Sequence, residues 1–208
     1  MTPKGHSPVD LDPAAPATSR RGLLGALGAV GLASAAALAV ARPASAAPTS
    51  PTEEDKTLLR AAMELELTAA ALYRAAIDAG LSNEAGALAD VFASNHMAYA
   101  DEIAGVAGFS ANTRNDDVFD QLESAFATTN VDAFAEAANG LENTAAATHT
   151  ELLAKYESVN ARELTASIIV VEARMATVLS DLGGLASNLQ QLFEPDAEPL
   201  ELGSGVAS

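Results

Sequence analysis

An all-α bundle of four long helices is the fold this sequence predicts, on three observations. From residue 47 onward Ala, Leu and Glu dominate, nothing reads as a strand, and apolar residues recur at helical spacing. Two short turns, at Gly80–Ser82 and Ser158–Asn160, flank one connection from Phe109 to Asn130 that is too long for a hairpin turn. The chain also echoes itself at a spacing of 76 residues. Glu66-Leu67-Thr68-Ala69-Ala70-Ala71-Leu72-Tyr73 returns as Glu142-Asn143-Thr144-Ala145-Ala146-Ala147-Thr148-His149. The same offset carries His96 onto Glu172, Tyr99 onto Met175, Ile103 onto Leu179 and Gly108 onto Gly184. Two helical hairpins of one design, in tandem, are the expectation; a simple up-and-down bundle with one long loop is the alternative.

Residues 1–46 read as an export signal. A polar leader ends in Ser19-Arg20-Arg21-Gly22-Leu23-Leu24, an uncharged Ala- and Gly-rich run extends from Gly22 to Ala41, and Pro43-Ala44-Ser45-Ala46 offers small residues for cleavage. The arginine pair beside two leucines resembles the twin-arginine signal, which exports proteins already folded. An uncleaved anchor is the competing reading, since the apolar run approaches spanning length; its Gly and Ala content and the cleavage site favour removal. The expected location is the cell envelope or the extracellular space, with no stable membrane span after cleavage.

With the leader go Lys4, Arg20, Arg21 and Arg42, together with Asp10 and Asp12, leaving a formal charge of −19 on about 162 residues, one domain in size. Such a surface repels nucleic acid and anionic lipid. The absence of cysteine excludes disulfides, thiolate metal sites, thiol catalysis and lipid attachment through a lipobox. No phosphate-binding glycine loop, Ser-His-Asp arrangement or Cys/His zinc pattern is present.

The bundle is expected to occupy residues 47–192. The first helix runs from about Pro51 or Thr52 to Ala79, with Glu53, Glu54 and Asp55 where the helix dipole favours anions, and a seam of Leu59, Met63, Glu66, Ala70, Tyr73 and Ile77. Gly80 ends it and Ser82 caps the second helix, whose face carries Leu88, Phe92, His96, Tyr99, Ile103 and Val106 up to the stop at Gly108. Val118, Leu122 and Phe126 make a small amphipathic helix within the crossover. The third long helix begins near Val131 with Ala138, Glu142, Ala145, His149, Leu152 and Tyr156 inward. The fourth carries Ile168, Glu172, Met175, Leu179 and Leu182, and Leu185, Leu189 and Leu192 outline a further segment. Residues 193–208 read as an acidic disordered tail.

Glu66, His96, Glu142 and Glu172 fall near the midpoints of their helices, so an antiparallel bundle brings them to one level. Three carboxylates in an apolar core are costly through desolvation and mutual repulsion. Either a divalent cation neutralises them, or some hold protons and hydrogen-bond to neighbours such as Tyr73, Tyr99 and His149.

From about Leu58 to Gly184 the chain resembles the ferritin-like superfamily, in particular small exported bacterial members. The resemblance implies a bundle with a long crossover between the second and third helices, and a di-iron or di-manganese centre built from one Glu on helices 1 and 3 and a Glu-x-x-His pair on helices 2 and 4. Glu66 and Glu142 match the single glutamates. Glu172-Ala173-Arg174-Met175 keeps the Glu of its pair but has Met for His, and His96-Met97-Ala98-Tyr99 has His for Glu and Tyr for His. The implied site is therefore partly lost: at most one Fe or Mn ion held by Glu66, His96, Glu142 and Glu172, with Tyr73, Tyr99, His149 and Met175 as neighbouring or altered ligand positions. No catalytic residue is assigned; a metal-dependent oxidase or oxidative-defence activity is what retained catalysis would be. The alternative is a metal-free envelope or secreted scaffold that binds a partner. Oligomeric state is not legible.

Overall fold

The computed structural model describes residues 46–185 and 197–201. Among them are five helices and no strand: α1 Glu53–Asp78, α2 Asn83–Ala107, α3 Asp116–Phe126, α4 Val131–Lys155 and α5 Val159–Leu182. The four long helices and the short crossover helix follow the expected order. The leader up to residue 45 lies outside the described residues, as do Leu189 and Leu192.

Helix boundaries follow local chemistry. Thr52 and Asp55 form a reciprocal capping box at the start of α1, while Asn115, Asn130 and Ser158 each accept a backbone N–H in the first turn of α3, α4 and α5. Gly108, at φ +78°, closes α2 with its N–H on the Ala104 carbonyl at 2.8 Å, a left-handed geometry that glycine adopts without a Cβ penalty. Ser82 precedes α2 but makes no capping bond through its side chain; instead the Asn83 amide donates to its hydroxyl at 3.3 Å. The first free N–H groups of α5 are met from outside, Val159 donating to the Pro48 carbonyl at 2.9 Å and Asn160 to that of Thr49 at 3.2 Å.

The helices pair as α1 with α2 and α4 with α5, and the two hairpins close on each other through α1 against α4 and α2 against α5. The carboxylate of Asp55, at the start of α1, accepts the N–H groups of Glu157 (2.8 Å) and Ser158 (3.0 Å), just beyond the end of α4. At the opposite end, a Cβ on Gly80 would lie 3.6 Å from the methyl of Thr129, which immediately precedes α4. α1 and α4 are thus antiparallel. The crossover returns along them: the Asn115 N–H donates to Thr68 Oγ1 at 2.9 Å midway along α1, and Phe126 reaches the ring of Tyr73.

Two apolar clusters fill the bundle. One gathers Leu72, Tyr73, Phe92, Phe126, Phe134 and Leu179; the other gathers Leu59, Met63, Ile103, Leu152, Tyr156 and Ile168. Fully buried Ala89, Ala93, Ala100 and Ala138 let the backbones approach closely without side-chain entropy to lose. Between the clusters lies a polar layer. The expected free tail is met otherwise at residues 197–201: Pro199 and Leu200 are half-buried, and the Leu200 N–H donates to Thr148 Oγ1 at 2.9 Å. An apolar Pro-Leu pair amid acidic residues gains by covering the surface there.

Burial pushes the Asp55 carboxyl up, but hydrogen bonds from the Thr52, Glu157 and Ser158 backbone outweigh it and hold its pKa below the ordinary aspartate value. Replacing Asp55 with Ala is expected to cost about 2–3 kcal/mol, from one lost cap and two orphaned N–H groups. A depressed folded pKa gives stability that is full above the unfolded value near 4 and is lost as pH falls through the folded one. Urea denaturation of wild type and Asp55→Ala should therefore differ at pH 7 and converge in acid.

Candidate metal centre

The polar layer consists of Glu66 from α1, His96 from α2, Glu142 and His149 from α4, and Glu172 from α5, each no more than 1% exposed. Helical spacing places them there: each continues the apolar stripe of its own helix, with Met63 and Tyr73 flanking Glu66, Phe92 and Ile103 flanking His96, and Ile168 and Met175 flanking Glu172.

His96 is the hub. Its Nδ1 lies 2.7 Å from Glu66 Oε2 and its Nε2 3.1 Å from Glu142 Oε1, so both ring nitrogens face carboxylate oxygens. Burial acts to lower its pKa, yet Glu142 and Glu66 together hold it well above the ordinary histidine value, as an imidazolium. Tyr73 stacks on the His96 ring, with centroids 5.6 Å apart and planes at 16°, and donates its hydroxyl hydrogen to Glu142 Oε1. Burial and the adjacent Glu142 raise the Tyr73 phenol far above its usual pKa, so it stays a donor.

His149 Nε2 reaches Glu66 Oε1 at 2.7 Å and lies 3.4 Å from Glu172 Oε1. Here too burial opposes the charge, and Glu172 and Glu66 overcome it to raise the pKa. Glu66 thus takes a hydrogen bond on each oxygen. Burial pushes its carboxyl up, but His149 and His96 pull it down to about 2. Glu172 is the opposite case. Burial, with repulsion from Glu66 and Glu142, drives it up to about 8 despite His149. Among the described residues neither Glu172 oxygen has a hydrogen-bond partner, nor do Glu142 Oε2 and His149 Nδ1.

One subset has the spacing of a ligand set. Glu66, His96 and Glu172 each present a donor atom within 4.8 Å of the others. They border a cavity of about 20 Å³ that His149 also lines, room for a single water-sized occupant. Carboxylate and imidazole donors suit a first-row transition ion, and an unpartnered buried carboxylate is the group such an ion would satisfy. The residues present therefore fit one metal ion.

The remaining expected positions are placed as follows. Glu142 stands beside His96 but is engaged by Tyr73. Met175 is buried in the apolar cluster around Tyr73, a packing position. Tyr99 is half-buried and packs against the opposite cluster; burial and the charge of Glu66 raise its phenol. His149, expected as a hydrogen-bonding neighbour, lies against two of the carboxylates, Glu66 and Glu172. Val118 of α3 and Leu200, which had no functional reading in the sequence, also border the cavity. A lone leucine between Glu198 and Glu201 was the available signal for the latter. Among the described residues no helix is long and apolar enough to cross a membrane.

No curated protein and no solved structure matches the chain. A family model described as a ferritin-like domain matches residues 54–184, which takes in α1 to α5. The paired hairpins, the long crossover and the buried glutamates at mid-helix accord with that match, and the chain belongs to the ferritin-like domain family.

Proposed function

We propose that this protein is an exported ferritin-like bundle that binds a single first-row transition ion, iron or manganese, through Glu66, His96 and Glu172. The observation that carries the reading is Glu172: a buried carboxylate with neither oxygen hydrogen-bonded, within ligand distance of Glu66 and His96. Leaving such a group unsatisfied costs several kcal/mol, and a cation relieves that cost directly. When bound, the ion supplies one-electron redox capacity; the protein supplies the ligands and excludes water. The second ion of a di-metal centre has no comparable seat. Glu142 is held by Tyr73 and His96, and at the position of the expected histidine Met175 offers a soft neutral sulfur. The centre is on this reading a degenerate one, suited to binding more than to oxygen-activating catalysis.

Export by the twin-arginine route supports the reading, because a protein folded before transport takes its ion from the cytoplasm. Replacing Arg20 and Arg21 together with Lys should leave the precursor inside the cell, as judged by fractionation; unaltered export would remove this part of the proposal.

A metal-free scaffold is the second reading, favoured by the hydrogen bonds that His96 and His149 make to Glu66 and Glu142. Elemental analysis separates the two. Anaerobic incubation with Fe2+ or Mn2+ should load one ion per chain, Glu172→Ala should abolish loading, and Met175→Ala should keep it while losing about 2–4 kcal/mol of stability from the cavity it leaves. A wild-type protein that takes up no stoichiometric metal would decide for the scaffold.

Protons and metal compete for the same atoms, so affinity should rise as pH approaches and passes about 8 and Glu172 is deprotonated. In the chelated protein the sign reverses. A carboxyl raised to about 8 contributes stability that is full below its unfolded value and lost as pH rises through 8. Denaturation midpoints from pH 6 to 9 should fall, and Glu172→Gln should flatten that fall.

A further inference from the structure

We propose that His149 is a direct ligand of the core ion, giving a site of two imidazoles and two carboxylates that selects iron over manganese. This rests on the reading that Glu66, His96 and Glu172 hold an ion.

Position is the first argument. His149 Nε2 is the atom aimed into the layer, 2.7 Å from Glu66 Oε1 and 3.4 Å from Glu172 Oε1, so it touches both carboxylates of the ligand set. His96 meets the other oxygen of Glu66 at 2.7 Å. The two imidazoles therefore approach the same carboxylate, one on each oxygen, and both line the small cavity beside it. The tight set of donor atoms is Glu66, His96 and Glu172, and His149 borders the same cavity beside it.

The second argument is what His149 lacks. Buried ring nitrogens are normally partnered, in ligating and non-ligating histidines alike. His149 is 1% exposed and its Nδ1 has no partner among the described residues. Among the described residues its polar partners are Glu66 and Glu172, both met through Nε2 and both assigned to the ion.

The third argument comes from the sequence. His149 stands two helical turns beyond Glu142 on α4, at the position that Tyr73 occupies relative to Glu66 on α1. Tyr73 donates to Glu142 and His149 faces Glu66, so each ring reaches the glutamate of the other hairpin. A phenol in this position can only brace its glutamate at neutral pH, whereas an imidazole can also ligate. On α5, Met175 has no nitrogen to offer. The nitrogen donor is supplied from α4 in its place.

Ligand chemistry then sets the preference. Carboxylates alone suit Mg2+, Ca2+ and Mn2+, while each added imidazole favours later first-row ions, Fe2+, Co2+ and Zn2+, in the order of intrinsic affinity. Two imidazoles tip the balance from manganese to iron.

The test uses the full mature protein loaded anaerobically with Co2+, an iron surrogate with a visible spectrum. X-ray absorption of the wild type should show multiple scattering from two imidazoles, and His149→Gln, which keeps a donor to Glu66, should show one. The ligand-field spectrum should change with it, and the preference for Co2+ over Mn2+ in competition should narrow about tenfold. One imidazole in the wild type, or a His149→Gln spectrum identical to wild type, overturns the proposal while leaving the three-ligand reading intact. A wild type that binds no Co2+, Fe2+ or Mn2+ overturns both. Should His149→Gln fail to fold, the wild-type imidazole count decides alone.

Discussion

Three carboxylates and two imidazoles sealed between two apolar clusters impose the constraint on which the rest of this protein depends. Each carboxylate buried alone would be worth several kcal/mol of destabilisation. The layer survives because positive charge is placed against negative: His96 between Glu66 and Glu142, His149 against Glu66. The arrangement holds two strongly shifted carboxyls side by side, Glu66 at about 2 and Glu172 at about 8. Pairs of like groups driven apart in this way mark places where a fold has given up stability for a purpose. The surrounding structure serves that layer: the alanines bring the backbones close, the clusters exclude water, and Asp55 fixes α1 against the end of α4.

The two sides of the layer are not equivalent. Around Glu142 the phenol of Tyr73, its four aromatic neighbours and Met175 make a closed, packed environment. Among the described residues both Glu172 oxygens and His149 Nδ1 lack partners, as does Glu142 Oε2, and the small cavity lies on the Glu172 side. An ancestral centre for two ions reduced to a seat for one would leave this asymmetry. The lining of that cavity by Val118 and Leu200 adds the crossover and the C-terminal segment to the wall of the site.

Most of the fold was legible because its signals are local and periodic. Gly80 and Gly108 announce helix ends by their backbone freedom, and the apolar seams follow the 3.6-residue period. The level at which Glu66, His96, Glu142 and Glu172 meet could be read from their mid-helix positions. The pairing within the layer could not. Whether His149 points to Glu66 or packs aside depends on side-chain rotation and on the offset between helices, neither of which a seam encodes. Ser82 misled for a related reason, since its hydroxyl is taken by Asn83. Leu200 was hidden because a docked segment of a few residues has no period to betray it.

One ion seated off-centre, on the side of Glu66, His96 and Glu172, is the central proposal for this layer. Crystals of the mature protein loaded with Fe2+ or Co2+, measured at the absorption edge of the metal, test that claim most directly. A single anomalous peak per chain is expected among those three side chains. Two peaks, with one beside Glu142, would restore a full di-metal centre, and no peak in a protein with intact folding would make the layer a metal-free, hydrogen-bonded core.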